Sequence, residues 1–101
     1  MFINKKNRFR TRAIADKLHM EIQVLLWSLI DYQQESGEQL DYLQVFELKK
    51  RHNKQLIIHR QEEPAREREY TIALEHGSPV NLTVWCIDDG SHQTMLLPSD
   101  Y

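Results

Sequence analysis

Cysteine occurs once in this chain, at Cys86. A lone thiol forms no intramolecular disulfide, so oxidation contributes nothing to the fold. Its place in an apolar strand pattern suits a buried, inert side chain better than a nucleophile. Glycine and proline number three each among 101 residues. That is too few for a disordered or low-complexity chain, and three glycines do not build a glycine-rich phosphate loop. No run of about 20 apolar residues is present to span a bilayer. Met1, Phe2 and Ile3 give way at once to Asn4, Lys5 and Lys6, which leaves no apolar stretch of a secretory leader. The expected setting is therefore the cytoplasm, with no membrane partner. The sequon at Asn81, Leu82 and Thr83 has no consequence without a secretory route.

What is there suits one folded, soluble domain over residues 1–101. Hydrophobic residues make up 41% and charged residues 28%, enough for one core and one solvated surface. The net charge of −2 hides an asymmetry. Residues 1–17 carry six basic side chains against Asp16 alone, while the rest carries seven basic against fourteen acidic. Such a split marks either a basic arm or a segment that docks on its own acidic body. Residues 1–7 read as a flexible basic N-terminus.

Along the chain, Arg8, Arg10 and Arg12 share one parity and Phe9, Thr11 and Ala13 the other. Period two predicts a half-exposed strand from about Arg8 to Asp16. From Met20 to Glu35 the pattern turns helical, with Leu18, Ile22, Leu25, Leu26, Leu29 and Ile30 at spacings of three and four. Gly37 suits the closing residue of that helix. Strands are then expected over 40–48, 56–61, 70–74, 80–87 and 94–97. Between them lie a turn over 49–54, a charged loop over 62–69 and turns at 76–79 and 88–93. Short connections pair strands antiparallel. The predicted fold is α+β, one main helix packed on a curved, mostly antiparallel meander in the order β-α-β-β-β-β-β.

Candidate chemistry is sparse. Of five histidines, at 19, 52, 59, 76 and 92, none forms the i, i+4 helical pair of zinc enzymes, and no second cysteine exists for a structural zinc site. His59 stands mid-strand in parity with Ile57. It is expected as a partly buried, hydrogen-bonded histidine, with a small enzyme site around it as an alternative. Asp88, Asp89 and Gly90 lack the further oxygen ligands and closing glutamate of a calcium loop and read as a hairpin turn. No metal, cofactor or catalytic set is predicted.

Two surfaces remain. Arg8, Arg10 and Arg12 on one strand face would form a row of cations roughly 7 Å apart, able to contact phosphates. The pI of about 6.2 argues against a nucleic-acid-binding domain, and charged edge strands also serve simply to block aggregation. Met20, Val24 and Trp27 flank the main helical stripe, Trp85 and Ile87 leave their strand opposite the apolar parity of Val80, Leu82, Val84 and Cys86, and Tyr42 and Phe46 are expected to leave theirs opposite Leu43 and Val45. This surplus apolar surface points to self-association or a protein partner, so a non-enzymatic binding protein is the leading expectation.

Five blocks of sequence, Leu25–Asp31, Leu40–Leu48, Ile57–Glu62, Trp85–Gly90 and Thr94–Pro98, resemble the successive blocks of a small family of staphylococcal-type proteins of unknown function from Firmicute bacteria. The resemblance runs from about residue 20 to the end. It implies a bacterial cytosolic protein of one compact domain, and it carries no catalytic residues with it.

Overall fold

In the computed structural model, which describes residues 1–3 and 7–101, the helical stripe forms helix α2 (Met20–Glu35). His19 caps its start by accepting the Glu21 N–H on Nδ1 at 3.0 Å, and Gly37 follows its end at φ +80°. The latter is the left-handed conformation in which glycine meets no Cβ clash. Ile22, Leu26 and Ile30 are fully buried along the face the spacing predicts.

Six strands form a single sheet: β1 (Arg8–Arg10), β2 (Leu43–Arg51), β3 (Lys54–Glu62), β4 (Ala65–Ile72), β5 (Leu82–Asp88) and β6 (Gln93–Leu96). Their spatial order is β1-β6-β5-β2-β3-β4. All pairings are antiparallel except β1 with β6. The class, the main helix and the mostly antiparallel sheet match the expectation, but a second short helix precedes the main one and the connectivity is not a simple meander. After β4 the chain returns across the sheet, so that β5 pairs with the free side of β2.

Three local expectations are corrected. The basic strand ends at Arg10, because Thr11 is a helix cap: its Oγ1 accepts the Ile14 N–H at 3.3 Å and opens a short helix, α1 (Arg12–Lys17). The turn expected over 49–54 narrows to His52 and Asn53, with Arg51 paired to Lys54 and His52 at φ +56°, as a two-residue hairpin loop requires. The charged loop expected over 62–69 is mostly strand β4. There Arg66 and Arg68 lean toward the helix side while Glu67 and Glu69 face solvent, a pattern that suits an exposed sheet edge.

Both helices lie on one face of the sheet. Beneath them Phe46, Leu48, Ile57, Val84, Cys86 and Met95 join Ile14, Leu18 and the α2 stripe in one buried cluster; the parity expected for β2 is thus reversed, with Phe46 inside and Leu43 and Val45 on the other face. Cys86 is wholly enclosed, and burial pushes its thiol pKa far up, as its apolar strand position implies. Of the expected flexible segment 1–7, Phe2 is instead part of this cluster, with no exposed surface, and its N–H is held by the Asp88 carboxylate. Asn7 is held too, its side chain donating to the Ser91 carbonyl at 3.1 Å. Lys5 and Lys6 lie outside the described residues.

Burial of Phe2 predicts that Phe2→Ala lowers stability in urea unfolding by about 3 kcal/mol or more, the usual cost of emptying a core phenylalanine site. Ile3→Ala, at a side chain 75% exposed, is expected to change stability by less than about 0.5 kcal/mol.

Candidate functional site

The two surfaces singled out in the sequence meet in space. Strand β1 runs along the edge of the sheet beside α2, and Arg8, Phe9 and Arg10 line a groove of about 220 Å³ with Met20, Gln23, Val24 and Trp27. Met20, Val24 and Phe9 are each more than half exposed, at 53%, 56% and 54%. Helical spacing of four and three places Met20, Val24 and Trp27 in one row, parallel to the inner stripe but turned away from it. Met20 and Val24 stay in water although their neighbours on the same helix are sealed in the core, while Trp27 is half-buried against it. Beyond Arg10 the groove continues into a hollow of about 470 Å³ lined by Lys17, His19 and Asp16 among others.

Polar contacts fix the shape of this groove. Arg8 lies 4.5 Å from the centre of the Trp27 ring, within the range of a cation–π contact. Its guanidinium donates to both oxygens of Asp31, at 3.1 and 2.5 Å, and its Nε donates to Gln93 Oε1 at 2.8 Å. A forked ion pair of this kind holds direction as well as charge. Arg10 donates to Gln23 Oε1 at 2.9 Å, and Gln23, itself buried, donates to the Leu18 carbonyl at 2.7 Å. Arg10 is exposed and bonded to a neutral amide, so its positive charge is left at the rim.

The predicted row of three cations does not form. Arg12 opens α1 rather than extending β1, and its side chain stands 93% exposed beside Asp16 at 3.9 Å. Arg8 is committed to Asp31, so of the three arginines Arg10 is the one that presents charge beside the apolar groove. Trp85 is separated from Met20, Val24 and Trp27 altogether. It lies on the sheet face away from the helices, edge-on to Tyr101 with ring centres 5.9 Å apart. Sequence reasoning missed Phe9 as a groove residue and Asp31 as the Arg8 partner. The parity of Phe9 against the arginines was visible, but no local pattern links Arg8 to a residue 23 positions on.

His59 is buried under α2, stacked on Phe46 with ring centres 4.2 Å apart. Gln44 Nε2 donates to the Asp41 carbonyl and to Gln61 Oε1, which turns Gln44 Oε1 toward His59 Nε2 at 2.6 Å. A carbonyl oxygen only accepts, so Nε2 carries the proton and Nδ1 accepts from Gln33 at 3.2 Å. The ring partners are thus two amides and no titratable group, and the space beside them does not hold a water. A general base works on a proton within hydrogen-bond reach, and both nitrogens of this ring are already engaged by Gln33 and Gln44. Asp88 and Asp89 spend their carboxylates on backbone N–H groups, Asp88 on Phe2 and Gly90, Asp89 on Ser91 and His92, as a hairpin turn requires. Among the described residues no group of three or more His, Cys, Asp or Glu side chains is placed to hold a metal, and no helix is long and apolar enough to cross a membrane.

Burial and the neighbouring Arg66 and Arg68 charges lower the His59 pKa from 6.5 to about 4. Between those values the unfolded chain binds a proton that the folded chain refuses. Stability is therefore predicted to fall as pH drops from about 6.5 to about 4, by a total of about 3 kcal/mol. Chemical unfolding across that range checks it, and His59→Gln should flatten the upper part of the profile. Glu21, whose carboxylate accepts the N–H groups of Glu75, Gly77 and His76 and has its pKa lowered to about 2, contributes only at more acid pH.

Comparison with known proteins adds fold and family. No functionally curated protein matches the chain significantly. A solved structure described as the protein of unknown function from Enterococcus faecalis superposes with a TM-score of 0.87 at 21% identity, covering 99% of this chain and 94% of that one. That likeness carries the fold alone. The family described as "Staphylococcal protein of unknown function (DUF960)" matches residues 7–100, which takes in β1 as well as the blocks from residue 20 onward. This chain belongs to that staphylococcal family.

Proposed function

We propose that this protein is a non-enzymatic, cytoplasmic interaction protein, and that the groove between β1 and α2 docks an acidic polypeptide segment anchored by apolar side chains. The observation that carries this reading is the pairing of exposed apolar and basic groups in one groove. Met20 and Val24 offer exposed apolar area, and Trp27 supplies a rigid aromatic wall braced by Arg8. Aromatic and methionine side chains are enriched at protein interfaces, and methionine adapts to varied partners. Arg10 and Lys17 at the rim select negative charge, while Asp16 is the one acidic side chain lining that hollow. The fully enclosed thiol of Cys86 suits a reducing compartment.

Nucleic acid fits this groove less well. A phosphate-binding row needs several uncommitted cations, and Arg8 is bound to Asp31 while Arg12 sits on a separate helix.

The test is titration of a Trp85→Phe variant, in which Trp27 is the sole tryptophan, with an acidic amphipathic peptide carrying leucine and phenylalanine at helical spacing. Its lysine-substituted counterpart and a single-stranded oligonucleotide serve as comparisons. The acidic peptide is expected to shift Trp27 fluorescence. Val24→Glu and Arg10→Glu should each weaken it at least about tenfold, as loss of a buried contact or reversal of a rim charge implies. Equal binding of the basic peptide, or binding of the oligonucleotide in preference to either, would sink the proposal.

A further inference from the structure

Helices α1 and α2 do not cover the second face of the sheet, where Tyr101 lies edge-on to Trp85 and Leu56 and Leu96 are already buried, and the centre of that face is not polar. Leu43, Val45, Ile58, Trp85 and Ile87 all project from it and none belongs to the core cluster under α1 and α2. The register gathers them: Val45 stands opposite Trp85, Leu43 opposite Ile87, and Trp85 opposite Leu96 on its other side. Antiparallel sheets with one solvated face ordinarily alternate apolar inside with polar outside. Here the centre of the sheet is apolar on this face too, at Leu43 and Val45 of β2 and Trp85 and Ile87 of β5. From this we infer that a second copy of this chain packs on the open face, forming a two-fold dimer through a sheet-on-sheet contact.

Charge selects a copy over a foreign partner. Beside the apolar centre, Arg60 pairs with Glu47 at 2.7 Å and with Glu67 at 3.8 Å, and Lys49 with Glu47 at 3.3 Å. Positive and negative groups therefore alternate across β2, β3 and β4. A partner surface of one sign would meet as many like charges as opposite ones. A two-fold copy presents the same alternation and can place each sign against its opposite, as an isologous contact requires. This face differs in that respect from the β1–α2 groove, whose rim is predominantly basic.

The sheet edges point the same way. Strand β4 is a free edge of eight residues, the natural template for edge-to-edge pairing. Antiparallel pairing with its own copy across a two-fold axis keeps helix-side residues opposite helix-side residues. In the registers of greatest overlap, Arg68 then faces Arg68 and Glu67 faces Glu69, or Glu69 faces Glu69. Like charges directly opposite are destabilising. Strand β1, the other edge, has only three residues. The copy is turned away from both edges and onto the face.

Sedimentation equilibrium of the full chain, from micromolar to millimolar concentration, tests the inference together with the fluorescence of a Trp27→Phe variant in which Trp85 alone reports. A reversible monomer–dimer equilibrium is expected, with Trp85 emission moving to shorter wavelength as concentration rises. Val45→Glu and Ile87→Lys should each raise the dissociation constant at least tenfold with circular dichroism unchanged. Val24→Glu in the groove should leave it unchanged, which separates this dimer from any association through the groove. Should either sheet-face variant fail to fold, dilution of the Trp27→Phe protein still decides, because its emission must follow the dimer fraction. A monomer throughout the range overturns the inference, as does a dimer that survives both sheet-face substitutions or is lost with Val24→Glu alone.

Discussion

The apolar stripe of α2 against one side of the sheet is the contact on which the rest of this structure depends. Ile22, Leu26 and Ile30 meet Phe46, Ile57 and Val84 in a cluster without exposed surface, and each such side chain removed from water stabilises the fold by roughly 1.5–3 kcal/mol. Since both helices use the same face, everything between helix and sheet must be apolar or supplied with hydrogen bonds. Everything on the far side must be tolerated in water or covered by something else. The buried polar groups and the two candidate interaction surfaces follow from that one-sidedness.

Between helix and sheet the polar groups are mostly uncharged amides. Gln55 bonds the backbone of Lys49, Leu56 and Val80, and so ties the end of β2 to the loop that leads back to β5. Gln61 holds the backbone of Gln39, Asp41 and Pro64 together. Gln33, His59 and Gln44 continue this set under the helix. Neutral amides bear burial at far lower cost than ions when their bonds are met; among the described residues the exception is Gln33 Oε1, which is buried without a partner, and His59 shares the amides' character because it is held neutral. The ionic groups stay nearer water, where Glu38 takes Arg68 in a forked pair and Arg66 at 3.7 Å. This polar set is scaffolding: it fixes loops and sheet margins.

The groove is a product of that scaffold. β1 reaches the sheet only by parallel pairing with β6, and Arg8 fastens it to α2 by spanning Gln93, Asp31 and the Trp27 ring. One arginine thereby links strand, helix and aromatic wall. The basic N-terminal segment is largely a docked element of the acidic body, with Arg10 kept at the rim, so the charge asymmetry of the sequence serves internal contact first and surface chemistry second.

The sequence by itself determined the class, the run of strands after the main helix and both bounds of α2, because the spacing of Ile22, Leu26 and Ile30 and the closing Gly37 are local signals that need no partner to be read. It also marked His59 as a buried histidine and Cys86 as an inert thiol, since strand parity alone decides which face each occupies. The end of β1 at Thr11 and the strand character of 65–69 were less legible. A threonine cap and a charged edge strand look like neighbouring alternation and loop until their hydrogen bonds are known. Only the tertiary structure decided that β5 returns to β2, that Phe2 closes the core, and that Arg8 binds Asp31 beside Trp27. These contacts join residues 23 to 86 positions apart, and no local period encodes which distant partner a side chain finds when the sheet closes.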